Sequence, residues 1–255
     1  MQRDIVWEDT ATNMRRAEAD MPPAGSTDLV VLPEVFATGF GAKAEDVAQP
    51  SDGGEVLQWM KRMAHEHDYA VAGSVAVENL GFFYNRLYFV RPDGEVTYYD
   101  KRHLFTYGGE VDFTPGQERV IAEWRGVRFL LLICFDLRFP LWNRCFEDYD
   151  VALYVGSWPV ARVAQWSALL PARAIENQCY VVAVNRVGKD PVCDYNGQSV
   201  VLHPYGHTLL TLGNAEQTST INLNMEELYR FRDRAQHLKD ADLMLVNQEF
   251  IKKHR

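Results

Sequence analysis

Three residues of the sequence combine a nucleophile, a base and a cation, and each one follows a strand-like run. Glu34 follows L-V-V-L-P, Lys101 follows V-T-Y-Y-D, and Cys134 follows R-F-L-L-L-I. Strand ends in α/β sheets open onto the ligand crevice, so residues at such positions can converge although they are distant in sequence. Taken singly, each residue has a structural explanation, since carboxylates and lysines are usually solvated and buried thiols are usually inert. Their common placement suggests one shared site.

Such a site would attack a carbonyl carbon with the thiol of Cys134. A free thiol has a pKa near 8.5, so it needs a neighbouring base or cation to act at neutral pH. Glu34 can take the proton if burial raises its pKa, and Lys101 can stabilise the thiolate and the developing oxyanion. The backbone N–H of Phe135 is the predicted second oxyanion donor. The sequence contains neither a G-x-S-x-G elbow nor a histidine beside Cys134, so other nucleophile arrangements fit worse.

The elements that must position these residues alternate between strands and helices without a linker or a repeat. The pattern therefore predicts one domain over residues 1–255, built as a sandwich of mixed parallel and antiparallel strands covered by helices. Helices are predicted from Asp9 or Thr10 to Pro22, around 56–63, over 140–148 and 162–177, and from Asn224. Strands are predicted over 28–33, 69–77, 82–90, 95–99, 127–133, 150–155, 179–185, 198–202, 208–212 and 218–223.

Composition favours a small-molecule partner. The 255-residue chain has a formal net charge of −9 and a pI near 5.3, which argues against nucleic-acid binding. No apolar run approaches the roughly 20 residues that a membrane helix needs, and the first residues lack a signal-peptide core. The four cysteines, at 134, 145, 179 and 193, show neither zinc-ligand spacing nor a disulfide pattern. These features predict a cytoplasmic protein with no metal site, in which Cys145, Cys179 and Cys193 are packing residues.

The segments around the three candidate residues resemble the nitrilase superfamily of carbon-nitrogen hydrolases. They read L-P-E-x-F-x-x-G-F, Y-D-K-R-H-L-F and C-F-D-L-R-F-P, in that order. The resemblance continues through G-S-W-P, L-P-A-R-A-I-E-N and V-N-R-V-G, and it covers nearly the whole chain. Several motifs in register are far more specific than one short motif.

The resemblance implies a four-layer α-β-β-α sandwich that pairs through its helices into a homodimer. It implies a catalytic triad of Glu34, Lys101 and Cys134, with a second glutamate, Glu110, in the loop after the lysine. No metal or organic cofactor is implied. Cys134 would attack an amide carbon, Glu34 would protonate the departing ammonia, and water activated by Glu34 would hydrolyse the thioester.

The longer context is similar to the omega-amidase branch of that superfamily, on the segments D-I-V-W-E-D, K-R-H-L-F with G-G-E, and L-P-A-R-A-I-E-N-Q. The implied substrates are 2-oxoglutaramate and 2-oxosuccinamate. Alternatives that would use the same triad are an N-carbamoyl amide hydrolase, another aliphatic amidase and a true nitrilase. A catalytically silent scaffold protein is a further alternative.

A small dicarboxylate monoamide needs one cation for its carboxylate and aromatic walls for its short chain. Arg138 or Arg162 is the candidate for the cation. The candidate walls are Phe40, Tyr107, Phe135 and Trp158. Each of these residues has a structural alternative, because aromatic side chains dominate cores and arginines often brace neighbouring carboxylates.

One departure from the superfamily concerns the first strand. Members usually begin with an apolar strand that ends in a glutamine, whereas this sequence starts at Met1 and Gln2. The expectation is either a misassigned start site or a sheet that lacks most of this strand. In the second case, exposed ladder groups on the neighbouring strand should lower stability or favour aggregation.

Overall fold

Two β-sheets that pack face to face form the centre of the protein. The computed structural model describes residues 1–241. The single domain over residues 1–255 stays a prediction, because residues 242–255 lie outside the described part of the chain.

The first sheet has five strands: β1 (Leu29–Val31), β2 (Gln49–Pro50), β3 (Ala70–Asn79), β4 (Phe82–Val90) and β5 (Val96–Asp100). Its order is β1-β3-β4-β5, with β2 also beside β3. β1 and β2 run parallel to β3, whereas β3, β4 and β5 are successive antiparallel neighbours. The carboxyl ends of β1 and β5 carry Glu34 and Lys101.

The second sheet has six strands: β6 (Ile121–Trp124), β7 (Val127–Ile133), β8 (Val151–Gly156), β9 (Tyr180–Asn185), β12 (Val200–Leu202) and β13 (Thr208–Thr211). Its order is β13-β12-β9-β8-β7-β6, and β7, β8 and β9 are parallel. The strands β10 (Val187–Lys189) and β11 (Asp194–Asn196) form a separate hairpin. Cys134 follows β7 directly.

Helices cover the outer face of each sheet. They are α1 (Thr10–Ala19), α2 (Ala44–Val47), α3 (Glu55–His67), α4 (Pro140–Asn143), α5 (Val163–Glu176) and α6 (Met225–Arg234). α1 begins where the sequence indicates, since the Asp9 side chain accepts a hydrogen bond from Thr12 N. The predicted mixed α-β-β-α sandwich is therefore confirmed.

The alternation of side chains along β3 shows how the layers are held. Ala70 and Ala72 belong to the core between the two sheets, whereas Val71 and Val75 belong to the core under α1 and α3. This period of two is what a strand covered on both faces requires. Burying each large apolar side chain contributes roughly 1.5–3 kcal/mol, so the two cores fix the spacing of the sheets.

Two predicted elements are wrong: one helix is shorter than predicted and one strand does not form. The helix expected over 140–148 ends at Asn143, whose side-chain amide donates to the carbonyl oxygens of Asp136 and Phe139. The segment 218–223 is not a strand, and within residues 1–241 the nearest ladder contact is the single bridge between Gln2 and Gln217. Periodicity alone predicted this strand, but a strand forms only where a partner runs beside it.

The shortened first strand is visible in the fold. Gln2 and Asp4 make only isolated bridges, to Gln217 and Val187, and within residues 1–241 no strand pairs with the second edge of β1. The Met1 amino group donates instead to the carbonyl of Val31 at 2.8 Å. A groove of about 520 Å³ lies between this edge of β1 and residues 218–223.

No helix within residues 1–241 is long and apolar enough to cross a membrane.

The buried amine of Met1 makes stability depend on pH. Burial, with a smaller effect of Arg3, lowers the pKa of this amine from 8.0 to about 5. Between these values the unfolded chain binds a proton that the folded chain does not, so we expect the free energy of unfolding to fall as pH drops from 8 to 5. Each pKa unit of difference corresponds to about 1.4 kcal/mol. Urea unfolding of the chain with a free and with an acetylated N-terminus checks this, since only the free amine titrates. The same dependence of the free energy of unfolding on pH for both N-termini would contradict this expectation.

Candidate active site

A buried lysine lies at the centre of the polar cluster between the sheets. Lys101 follows β5, and its backbone N–H donates to Asn85 O at 2.9 Å. Its ammonium group donates to Glu34 Oε1 and to Glu110 Oε2, both at 2.7 Å, and the side chain has no exposed surface. Burial lowers the pKa of Lys101, but the carboxylates of Glu110 and Glu34 outweigh this and raise it above its ordinary value. The group is therefore a permanent cation.

Glu34 is held from both sheets. Its Oε1 accepts from Asn85 Nδ2 at 2.9 Å as well as from Lys101, and its Oε2 accepts from Ser157 N at 2.8 Å. Ser157 follows β8 of the second sheet, and its hydroxyl donates to Glu34 O at 3.2 Å. The carboxylate is fully buried, so these donors fix its position and orientation.

Glu110 approaches Lys101 from the loop, as the sequence predicted. It also accepts from Asn85 Nδ2 at 2.9 Å and from Phe105 N at 2.7 Å. Burial raises the pKa of Glu110, and the charge of Glu34 adds to this, while Lys101 opposes it. Glu110 shares both Lys101 and Asn85 with Glu34, which suits an orienting group.

Cys134 starts a 3-10 turn, Cys134–Arg138, directly after β7. Its φ of +44° is in the left-handed region, which a residue with a side chain adopts only under constraint. The charges of the Glu34 carboxylate and of the Lys101 ammonium both act on the thiol. Burial and the Glu34 carboxylate raise the pKa of the thiol well above its ordinary value, and Lys101 opposes this. The resting group is therefore a thiol that needs Glu34 to take its proton.

Cys134 is not sealed off, since 8% of its surface is exposed. Glu34, Lys101 and Cys134 thus meet in one polar site at the seam of the two sheets, as their positions after strands predicted. Phe135, the predicted oxyanion donor, lies in the first turn after Cys134, where backbone N–H groups have no partner within the helix. Its oxyanion role stays a prediction.

Aromatic side chains line the approach to this cluster. The ring of Phe40 lies 5.3 Å from Lys101 Nζ, and Phe105 packs against Phe135 at 4.9 Å. Trp158 is buried, and its backbone N–H donates to Asn185 Oδ1. The roles of Phe40, Phe135 and Trp158 as substrate walls stay predictions.

The prediction for Tyr107 is wrong in this structure. The side chain is 94% exposed in the 3-10 turn Thr106–Gly108, and its ring contact is with Phe105 at 6.3 Å. A side chain so exposed cannot wall a closed site. The sequence could not reveal this, because the loop after Lys101 has no periodicity that fixes which side chains point inward.

Arg138 and Arg162, the candidate cations, both lie over aromatic rings. The Arg138 guanidinium lies 5.5 Å from the ring of Phe135 and 5.2 Å from that of Trp158. Arg162 lies 4.7 Å from the ring of Phe105.

Two residues of the cluster were missed by sequence reasoning. Asn85 donates to Glu34 and Glu110, and Ser157 donates to Glu34. The signal for Asn85 is an amide on the buried part of the mainly apolar and aromatic strand β4, next to Arg86. Ser157 belongs to the G-S-W-P segment, whose position after a buried strand is the same signal that singled out Cys134.

Within residues 1–241 no group of three or more His, Cys, Asp or Glu side chains is arranged to hold a metal ion.

Comparison with known proteins identifies the family. The carbon-nitrogen hydrolase family model matches residues 1–233. The chain belongs to the carbon-nitrogen hydrolase family. This confirms the resemblance to the nitrilase superfamily and makes the protein a hydrolase that acts on carbon–nitrogen bonds.

Individual relatives of this carbon-nitrogen hydrolase agree with the predicted branch. Omega-amidase YafV of Escherichia coli is 42% identical over 246 residues, which cover 95% of each chain. A 2-oxoglutaramate amidase of Bacillus subtilis is 34% identical and covers 91% of this chain and 92% of its own. A CN-hydrolase superfamily protein of Xanthomonas campestris, solved with an arsenic adduct in its active site, superposes with a TM-score of 0.93 at 38% identity, covering 96% of this chain and 97% of its own.

We expect an alkylating reagent to modify Cys134 before the other cysteines. Burial raises the pKa of all four thiols, but among them only Cys134 is affected by the charges of both Glu34 and Lys101. Peptide mass spectrometry after timed iodoacetamide treatment measures the order. Cys193 is the control, because it is the least buried of the four. Faster modification of Cys193 would contradict an activated Cys134.

Proposed function

We propose that this carbon-nitrogen hydrolase is a thiol-dependent omega-amidase. It hydrolyses the terminal amide of a small 2-oxo acid amide, 2-oxoglutaramate or 2-oxosuccinamate, to the dicarboxylate and ammonia. The observation that carries the proposal is the fully buried pair of Glu34 and Lys101, hydrogen-bonded at 2.7 Å, whose charges both act on the Cys134 thiol. The names of the relatives support the substrate class.

In the first half-reaction, Cys134 Sγ bonds to the amide carbon while Glu34 takes the thiol proton. The carbonyl oxygen gains the negative charge. Lys101 has three N–H donors, and Glu34 and Glu110 occupy two, so one is left for this oxyanion. The N–H of Phe135 is the second donor. The carbon–nitrogen bond then breaks, Glu34 returns its proton to the nitrogen, and ammonia leaves a thioester on Cys134.

In the second half-reaction, a water molecule adds to the thioester carbon and gives its proton to Glu34. The carbon–sulfur bond breaks, the thiol is restored, and the carboxylic acid product leaves. Glu110 has a function in both halves. When Glu34 holds a proton, Lys101 keeps a charged partner in Glu110, so the ammonium neither loses its proton nor moves.

Arg138 is the residue that we propose for the substrate carboxylate. Within the described residues no carboxylate pairs with its guanidinium, which donates to Gln165 Oε1, and its buried Nε has no partner. It lies on the same turn as Cys134, so a substrate that spans a few carbon atoms can reach both. Buried guanidinium groups bind carboxylates strongly because the hydrogen bonds are charge-assisted.

We also propose that the enzyme is a cytoplasmic homodimer. All four cysteines are free, as a reducing compartment requires. A patch of exposed apolar side chains at the end of α5 supports self-association: Ile175 lies against Gly206, and the exposed Tyr205 packs on Phe231. Sedimentation velocity of the protein and of an Ile175→Glu variant tests this, and an unchanged monomer would contradict it.

Cys134→Ala should abolish ammonia release, because it removes the thiol that bonds to the amide carbon, while thermal unfolding stays close to wild type. Glu34→Gln should lower kcat roughly a thousandfold or more, since it keeps the size of the side chain but removes the base of both half-reactions. The assay is ammonia release from 2-oxoglutaramate, glutamine, asparagine, N-carbamoyl amino acids and simple nitriles. Residual turnover above a few per cent in Cys134→Ala would overturn the nucleophile, and a preference for nitriles or N-carbamoyl compounds would overturn the substrate class.

Arg138→Leu should raise KM for 2-oxoglutaramate by roughly 10- to 100-fold, the effect of losing a charge-assisted hydrogen bond. Activity on an uncharged amide such as butyramide should change little. Arg162→Leu is the matched control, since Arg162 also lies over an aromatic ring of the site. Equal losses on the charged and the uncharged amide would contradict a carboxylate-binding role for Arg138.

A further inference from the structure

A third buried carboxylate, Asp136, lies two residues after Cys134 and takes no part in the chemistry proposed above. It accepts four hydrogen bonds, two on each oxygen. Oδ2 accepts from Ile133 N at 2.9 Å and from the Tyr99 hydroxyl at 2.8 Å. Oδ1 accepts from His103 N at 3.1 Å and from His103 Nδ1 at 2.8 Å. The side chain has no exposed surface.

These donors come from both sides of the site. Ile133 is the residue before Cys134, at the end of β7 in the second sheet, whereas Tyr99 and His103 flank Lys101 at the end of β5 in the first sheet. The Tyr99 hydroxyl in turn accepts from Arg102 N at 3.0 Å. Asp136 therefore joins the turn that carries Cys134 to the segment 99–103 that carries Lys101, without touching either reactive side chain.

The same carboxylate also holds the strained backbone of the turn. Cys134 has a φ of +44°, a conformation that persists only where its surroundings impose it. The bond from Ile133 N to Asp136 closes the turn around Cys134, and Asn143 Nδ2 donates to Asp136 O at 2.9 Å from the outside.

We propose that Asp136 is a positioning residue that fixes the distance between the Cys134 thiol and the Lys101 ammonium. This inference rests on the proposed thiol mechanism. A misplacement of about 1 Å between reacting groups can lower the rate roughly a hundredfold. Because Asp136 is bonded both to the turn that carries Cys134 and to the segment that carries Lys101, it affects turnover without contacting the substrate.

Asp136→Asn is a sharp test because an amide has only one acceptor oxygen. Whichever way the amide is turned, its NH₂ group faces either the His103 pair or the pair of Ile133 N and Tyr99. Each pair includes a backbone N–H, which cannot become an acceptor. In either orientation, therefore, Asp136→Asn loses a hydrogen bond to one of the two segments that carry Cys134 and Lys101.

Asp150→Asn is the matched control. Asp150 is also fully buried and accepts four hydrogen bonds, two on each oxygen, from Arg128 and Arg232. It precedes β8, whereas Ser157 of the site follows that strand, so the strand's length of roughly 20 Å separates it from the site. It controls for the general effect of removing one buried carboxylate charge.

The experiment measures thermal unfolding, kcat and KM for ammonia release, and the rate of Cys134 alkylation as a function of pH. We expect Asp136→Asn to lower kcat roughly a hundredfold with a smaller change in KM. We also expect the alkylation profile of Cys134 to move to higher pH, because a more distant Lys101 stabilises the thiolate less. Asp150→Asn should lower the unfolding temperature but leave kcat and the alkylation profile within about twofold of wild type.

Two results would overturn the inference: wild-type kcat and alkylation profile in Asp136→Asn, or equal shifts in Asp150→Asn. If Asp136→Asn does not fold, Tyr99→Phe replaces it, since it removes one donor to Asp136 and should shift kcat and the profile in the same direction by a smaller factor. Failure of the thiol mechanism itself has a different signature, namely full activity in Cys134→Ala.

Discussion

The site depends on two buried salt bridges, which join Lys101 to Glu34 and to Glu110. An isolated charge at this depth would be too costly, and only well-aligned partners offset the loss of hydration. Two carboxylates and Asn85 supply that alignment. The cation is thus fixed before any substrate arrives, and stabilisation of an oxyanion needs no rearrangement during the reaction.

The cluster lies across the seam between the sheets, which is why the whole sandwich is needed for it. Glu34 and Lys101 extend from the first sheet, whereas Cys134 and Ser157 extend from the second. The core between the sheets, with Phe89 against Phe129 at 5.4 Å, sets their separation. Because cores are close-packed, a change of one methylene group there is transmitted to the distances at the seam.

The sequence predicted the reactive residues better than the residues that hold them in place by hydrogen bonds. Glu34, Lys101 and Cys134 were found because each follows a strand-like run, and such runs have a recognisable pattern. Asn85, Ser157 and Asp136 bind groups on other strands, and the sequence places them in or after strands without revealing which groups they bind. The strand Ile121–Trp124 was missed because its four residues are too few for periodicity, and Tyr107 was misplaced because loops have none.

The two turns that carry the base and the nucleophile share one construction. Val35, next to Glu34, has a φ of +40°, and Cys134 has a φ of +44°. Such conformations cost on the order of 1–3 kcal/mol each, and Val35 is β-branched, which makes its strain the greater. A buried polar side chain holds each turn: Ser74 Oγ accepts from Val35 N at 2.8 Å, and Asp136 accepts from Ile133 N. Backbone strain is therefore concentrated at the two points where the base and the nucleophile must be oriented, and a buried acceptor holds each strained turn in place.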